Sequence, residues 1–157
     1  TQPRGRTPRT AADLNNYRKG GSGTVRGKVD PDKIREIKFW EKAATQGITD
    51  QAVKKSAARF RASLAELDHL LTKNQYLLGN TLSILDIAWF IYVNRLVRCS
   101  YPMEKLHPNV NLWFRQLRKE PEFAKEIIVP PEIQKAVEAN HRQQQETKTT
   151  LVDVADL

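Results

Sequence analysis

Apolar residues recur every three or four positions in the segment that begins at Asp30, which is the spacing of an amphipathic helix. Asp30 is suited to the N-cap, Pro31 to the first helical position and Gly47 to the C-terminal stop. The apolar stripe consists of Ile34, Ile37, Trp40 and Ala44. This pattern predicts a first helix between Asp30 and Gly47.

A second and longer helix is predicted to begin at Thr49 and Asp50. Its apolar positions again follow helical spacing and share one face. They are Val53, Ala57, Phe60, Leu64, Leu67 and Leu71. Because the stripe spans fewer than about three heptads, it favours packing within the chain over a coiled coil.

A third helix is predicted from a capping pattern rather than from the periodicity of apolar residues. Ser83 can cap the helix while Asp86, three residues later, reaches back to the amide of Ser83, which is a reciprocal capping box. Leu82 and Ile87 are placed to form the accompanying hydrophobic staple. Residues 89–93 are apolar all round, which is typical of a helix surrounded by others. The box is therefore interpreted as primarily structural.

Charge is distributed unevenly along the chain. Residues 1–29 hold seven basic residues and one acid, Asp13, whereas the remainder holds 19 basic and 17 acidic residues and is nearly neutral. The N-terminal segment has few large apolar side chains with which to repay the entropy of ordering, so it is predicted to be a flexible basic arm. A phosphate-contacting arm is the alternative, but the composition favours a linker. We do not expect a nucleic-acid partner.

Hydropathy and cysteine content indicate where in the cell the protein is expected. No apolar run reaches the length of a membrane helix, and the N-terminus lacks the apolar stretch of a secretory signal. The single cysteine, Cys99, excludes an intrachain disulfide framework and fits a reducing compartment. We therefore expect no membrane partner and a cytoplasmic location. Because the chain begins with Thr1, we also expect it to be part of a longer protein.

Isolated reactive side chains give only weak site candidates. The three histidines lack the helical spacing of a metal pair, so no metal site is expected. Cys99 could be a reactive thiol, but without an activating neighbour an inert small residue is favoured. Asn94 and Arg95 follow a buried apolar run and are expected to form a helix cap or an ion pair, with substrate contact as the alternative.

Three landmarks follow one another along the chain: a Tyr-Leu-x-Gly turn at 76–79, the Ser-x-x-Asp box at 83–86 and a His-Pro-x-Val-x-x-Trp segment at 107–113. In this order they resemble the C-terminal domain of glutathione S-transferases. Pro121 and Phe123 also resemble the pattern after that helix. The match spans roughly residues 30 to 127. It implies an all-α helical bundle over residues 30–128, preceded by the flexible arm at 1–29 and followed at 129–157 by a short helix and a frayed tail.

The resemblance restricts the chemistry that this chain can supply. In the family, glutathione is bound and its thiol activated mainly by a thioredoxin-like domain, to which nothing in this sequence corresponds. The helical domain contributes walls of the hydrophobic substrate pocket and part of a homodimer interface. By location, the pocket candidates are Phe39, Trp40, Ala43, Trp89 and Tyr92. Ordinary core packing is the alternative for Trp89 and Tyr92.

Two classes of function follow from the resemblance. The first is the substrate-binding domain of a glutathione transferase, which conjugates glutathione to hydrophobic electrophiles in detoxification once a thioredoxin-like domain is present. This chain alone would then hold no catalytic residue, and its contribution to glutathione binding is left open. The second is a non-catalytic interaction module of the kind found in translation-factor and aminoacyl-tRNA synthetase assemblies. Phe39 and Trp40 favour the first class.

Overall fold

The protein is described by a computed structural model in which residues 10–20 and 23–157 are placed. The described chain is built almost entirely from helices, which confirms the predicted all-α fold class. Its elements are α1 (Ala11–Lys19), β1 (Thr24–Val25), β2 (Lys28–Val29), α2 (Pro31–Gln46), α3 (Asp50–Leu70), α4 (Ile84–Arg98), α5 (Met103–Leu106), α6 (Pro108–Leu117), α7 (Pro121–Glu126), α8 (Pro131–Glu146) and α9 (Leu151–Ala155). The chain divides into two compact units, one ending at Ala52 and the other beginning at Val53.

The first unit differs from the predicted flexible arm. Residues 10–20 contain α1, which starts with a capping box between Thr10 and Asp13 and buries Leu14. The hydroxyl of Tyr17 on this helix donates to Glu36 of α2 at 2.9 Å. The capping box and the contact with α2 order a segment whose composition indicated no structure. The parts of the predicted arm at 1–9, 21 and 22 lie outside the described residues.

A short hairpin connects α1 to α2. The antiparallel strands β1 and β2 pair Thr24 with Val29 and Val25 with Lys28. Arg26 and Gly27 form the connection with φ angles of 52° and 75°. Two consecutive left-handed residues are the geometry of a type I′ turn, which matches the twist of a two-residue hairpin.

The first predicted helix is confirmed as α2. The side chain of Asp30 accepts the backbone N–H of Asp32 at 2.9 Å, and Pro31 occupies the first helical position. Gly47 ends the helix with a φ of 69°, a conformation that costs glycine little. Along its predicted stripe, Ile37 is buried whereas Ile34 is 43% exposed.

The second unit is organised around α3, α4 and α6. The predicted apolar face of α3 is confirmed, with Ala57, Leu64 and Leu67 buried. The core of this unit consists of Leu64, Leu67, Leu77, Phe90, Val93, Tyr101, Met103, Val110, Trp113, Phe114 and Leu117. These side chains come from helices far apart in sequence and from the turns between them, so the core joins the whole unit.

The helix α4 is not surrounded on all sides as its sequence predicted. Phe90 and Val93 are buried, but Ile84 is 83% exposed and Ile87 and Tyr92 are each about half exposed. One apolar face of α4 is therefore accessible. None of the helices in the described residues is both long and apolar enough to cross a membrane.

The C-terminal end is more ordered than the frayed tail that was predicted. Thr150 and Asp153 form a capping box at the start of α9, and Val154 of this helix is buried. Leu151 and Leu157 pack against the core of the second unit. Apolar contacts and the cap together explain why these last residues form structure.

Candidate functional site

The three sequence landmarks meet at the carboxylate of Asp86, which is fully buried. Its Oδ2 atom accepts the backbone N–H of Ser83 at 2.9 Å and the hydroxyl of the same residue at 2.6 Å, so the predicted capping box is confirmed. Its Oδ1 atom accepts the backbone N–H of Leu77 at 2.9 Å and the indole N–H of Trp113 at 3.1 Å. The turn, the box and the later helix are thereby joined through one side chain.

This network makes Asp86 a structural centre of the second unit. A buried carboxylate is costly unless its oxygens are hydrogen-bonded, and here both oxygens accept two donors. The sequence pattern predicted the local half of the network but not the contacts with Leu77 and Trp113, because those contacts depend on how α4 and α6 pack. The arrangement orients helices and leaves no oxygen of Asp86 free for chemistry.

A second buried cluster holds the start of α6. The carboxylate of Asp68 on α3 accepts the backbone N–H of Val110 at 2.9 Å and the side-chain amide of Asn109 at 3.0 Å. His107 directly precedes α6, and its Nε2 atom lies 2.9 Å from the hydroxyl of Tyr101. The Nδ1 atom of His107 has no hydrogen-bond partner among the described residues. A neutral ring that donates from Nε2 satisfies this geometry at least cost.

The buried ring of His107 is expected to make stability depend on pH. Burial lowers the pKa of His107 below its usual 6.5, with Asp68 opposing and Arg61 adding to the effect. In the pH range between the two values the unfolded chain therefore binds a proton that the folded chain does not. The free energy of unfolding should fall as the pH is lowered below about 6.5 and level off beneath the folded pKa. Urea denaturation at about pH 7.5 and about pH 5.5 measures this change.

Two variants check whether His107 is the source of this pH dependence. His107→Gln should flatten the dependence in this range, whatever its effect on stability at neutral pH. His69→Gln, which replaces an exposed histidine on α3, should leave the dependence as it is. An unchanged slope in His107→Gln would assign the effect to other groups.

The predicted pocket residues of the second unit form an aromatic group. The rings of Trp89 and Tyr92 on α4 lie 5.9 Å apart between centroids, and Tyr92 is also 6.1 Å from the ring of Phe60 on α3. Tyr92 is 48% exposed, whereas Trp89 and Phe60 are half-buried. The sequence predicted Phe60 as part of the apolar core face of α3. Its contact with Tyr92 depends on how α3 packs against α4, which residue spacing within one helix does not show.

The other predicted pocket residues lie on α2 in the first unit. Phe39 is 53% exposed and contacts Trp40 edge to face, with 5.3 Å between ring centroids. The indole N–H of Trp40 donates to Glu36 at 3.4 Å, and Ala43 is half-buried. This unit therefore also presents an accessible aromatic surface, and the role of its residues in a pocket stays a prediction.

The structure gives little support for a functional role of Cys99, Asn94 or Arg95. Partial burial raises the pKa of the Cys99 thiol, which Arg98 opposes in part, and this favours the inert interpretation. Asn94 is half-buried and Arg95 is exposed in the last turn of α4. Within residues 10–20 and 23–157, no three His, Cys, Asp or Glu side chains are grouped so as to hold a metal ion.

Together these features define an all-helical domain with a buried capping network and accessible aromatic side chains. Residues 50–116 match the family model described as glutathione S-transferase, C-terminal domain. This match over residues 50–116 confirms the family resemblance predicted from the three landmarks. The matched segment begins with α3 and includes Ser83, Asp86 and Trp113. No curated protein and no solved structure gives a significant match.

Proposed function

We propose that this chain is the hydrophobic-substrate-binding domain of a glutathione S-transferase-like protein. In this proposal it takes part in conjugating glutathione to apolar electrophiles together with a thioredoxin-like domain. The observation that carries the proposal is the accessible aromatic group of Phe60, Trp89 and Tyr92 on a domain of this family.

The aromatic group is suited to a flat, apolar ligand. Small-molecule sites are lined mainly by apolar and aromatic side chains with few polar groups. Tyr92 offers an exposed ring, and its contacts with Trp89 and Phe60 limit how that ring can move. Such a surface binds apolar aromatic compounds through area and ring contacts, and it requires no change in the buried network around Asp86.

Glutathione is proposed as the co-substrate, bound mainly by the thioredoxin-like domain. The described residues contain one two-stranded sheet and no parallel strands, so they do not include a domain of that kind. Activation of a thiol needs a nearby positive charge or hydrogen-bond donor that stabilises the thiolate. In the proposal that group belongs to the thioredoxin-like domain, and no residue of this chain is assigned a catalytic role.

A non-catalytic interaction module is the second candidate function. It is favoured by accessible apolar side chains around the start of α4, where Leu78 is 70% exposed and Ile84 is 83% exposed. Exposed apolar patches often mark protein interaction sites. The homodimer expected from the family resemblance would use such a surface, and we retain it as a proposal for either function.

Binding of an unreactive aromatic compound tests the first candidate. The chain titrated with 1,3-dinitrobenzene, a neutral quencher of tryptophan fluorescence, should show saturable binding. Tyr92→Ala should weaken this binding about two- to tenfold, because it removes one ring contact. Leu112→Ala, which replaces an exposed apolar residue on α6, is the matched control and should bind as the unaltered chain does.

Calorimetric titration of glutathione into the same sample completes the test. We expect no saturable binding by this chain alone, whereas binding would place part of the glutathione site on it. Absence of dinitrobenzene binding, or equal weakening by Tyr92→Ala and Leu112→Ala, would contradict the substrate-domain proposal and shift preference to the interaction module.

A further inference from the structure

A cleft of about 430 Å³ lies between the C-terminal end of α4 and the helix α8. It lies within the second unit and does not include the aromatic group described above. Its polar lining comprises Arg98, Ser100, Gln134, Glu138, His141 and Arg142. Hydrogen-bond donors and positive charge predominate in this set.

The two arginines of the cleft have unused binding capacity. Neither Arg98 nor Arg142 forms an ion pair or a side-chain hydrogen bond with any of the described residues. Each guanidinium carries five N–H donors in a planar fork that fits the oxygens of a phosphate or carboxylate. Two such groups facing one cleft provide more donors than the cleft itself can satisfy.

Ser100 and His141 form a connected pair on the wall of the cleft. The hydroxyl of Ser100 lies 2.6 Å from Nε2 of His141, although the two residues are 41 positions apart. Ser100 directly follows the C-cap of α4 and has a φ of 61°, and the backbone N–H groups of Ser100 and Tyr101 donate to the carbonyls of Val97 and Leu96 to end the helix. The pair adds a hydroxyl and an imidazole to the two guanidinium groups.

One acid, Glu138, lines the same cleft and reduces its positive charge. Glu138 accepts a hydrogen bond from the side-chain amide of Gln134 at 2.7 Å, so part of its charge is already stabilised. With a neutral His141, the two arginines exceed this carboxylate by one positive charge, and a protonated ring would add a second. The cleft is therefore electropositive.

We infer that this cleft is a phosphate-binding site in which Arg98 and Arg142 hold the anion and Ser100 and His141 complete its hydrogen bonds. A phosphate group is preferred to a carboxylate because it carries up to two charges and offers oxygens to several donors at once. The ligand is either free phosphate or a small phosphate monoester. This inference is independent of the proposed transferase function and uses none of its residues.

Calorimetric titration at low ionic strength tests the site, since screening weakens exposed electrostatic contacts. The probes are inorganic phosphate, phenyl phosphate as a monoester, and acetate as a carboxylate. At least one of the two phosphates should bind in a saturable manner and more tightly than acetate. The phosphate that binds more tightly shows whether the ligand is free phosphate or a phosphate monoester. Arg98→Gln and Arg142→Gln should each weaken its binding about tenfold.

A variant with the opposite effect and a matched control sharpen this experiment. Glu138→Gln removes the one acid that lines the cleft in the described part of the chain and should tighten phosphate binding. Arg115→Gln, which removes an exposed arginine on α6, should leave binding unchanged. The inference is overturned if neither phosphate binds, if acetate binds as tightly, or if the two cleft arginines can be replaced without loss of affinity.

Discussion

Replacement of Asp86 with alanine should destabilise the second unit by about 2–6 kcal/mol. The substitution leaves two buried donors, the N–H of Leu77 and the indole N–H of Trp113, without their acceptor, at a cost of about 1–3 kcal/mol each. Removing a buried charge offsets part of this cost. Because folded domains are typically stable by about 5–15 kcal/mol, this single change could leave the unit largely unfolded. Urea denaturation followed by far-UV circular dichroism measures the effect.

The chain contains a matched control for this prediction. Asp153 forms the same capping box with Thr150, where its Oδ2 atom accepts the backbone N–H at 3.0 Å and the hydroxyl at 2.6 Å. Asp153 is exposed and, among the described residues, has no long-range partner of the kind that Trp113 gives Asp86. Asp153→Ala should therefore cause a much smaller loss. Equal losses in the two variants would show that Asp86 acts only as a local cap.

Two further variants divide the contribution of Asp86. Trp113→Phe removes one donor while the contacts with Leu77 and Ser83 can persist, so its effect should be intermediate. Asp86→Asn keeps one carbonyl oxygen that can accept hydrogen bonds, but it replaces the other oxygen with an NH₂ group that faces two hydrogen-bond donors. We expect it to be less harmful than alanine and still clearly destabilising.

The capping pattern that located α4 also occurs where sequence analysis predicted no helix. Thr10 and Asp13 start α1, and Thr150 and Asp153 start α9, with the same spacing as Ser83 and Asp86. The signal was therefore present in the sequence. The prediction for the first segment instead followed its basic, glycine-containing composition, and the last segment was too short to predict.

Long-range contacts could not be predicted in this way. Asp68 and Val110 are 42 positions apart, and their hydrogen bond exists only because α3 and α6 pack together. The phosphate-binding cleft similarly joins Ser100 and His141 across 41 positions. Periodicity identifies which face of a helix is apolar, but it does not determine which helices share a core or which polar groups meet at their ends.

The second large effect is expected for Phe90→Ala, which should destabilise the second unit by about 3–5 kcal/mol. Phe90 is 1% exposed, and its ring lies 5.1 Å from that of Phe114 and 4.8 Å from that of Phe123. Truncation removes these contacts and leaves a cavity that fixed helices cannot fully close. Thermal and urea denaturation provide the measurement, and Leu112→Ala, at a 58% exposed position, should change stability by less than about 0.5 kcal/mol.

Phe123 gives this prediction a more specific form. The residue was noted in the sequence only as part of a family resemblance, and its edge-to-face contact with Phe90 supplies a physical reason for it. In a double-mutant cycle, Phe90→Ala and Phe123→Ala should be coupled by about 0.5–1.5 kcal/mol, the range for a pair of aromatic rings. Strict additivity would show that α7 rests against the core without stabilising Phe90. Coupling would show that the packing of the helical domain extends through α7.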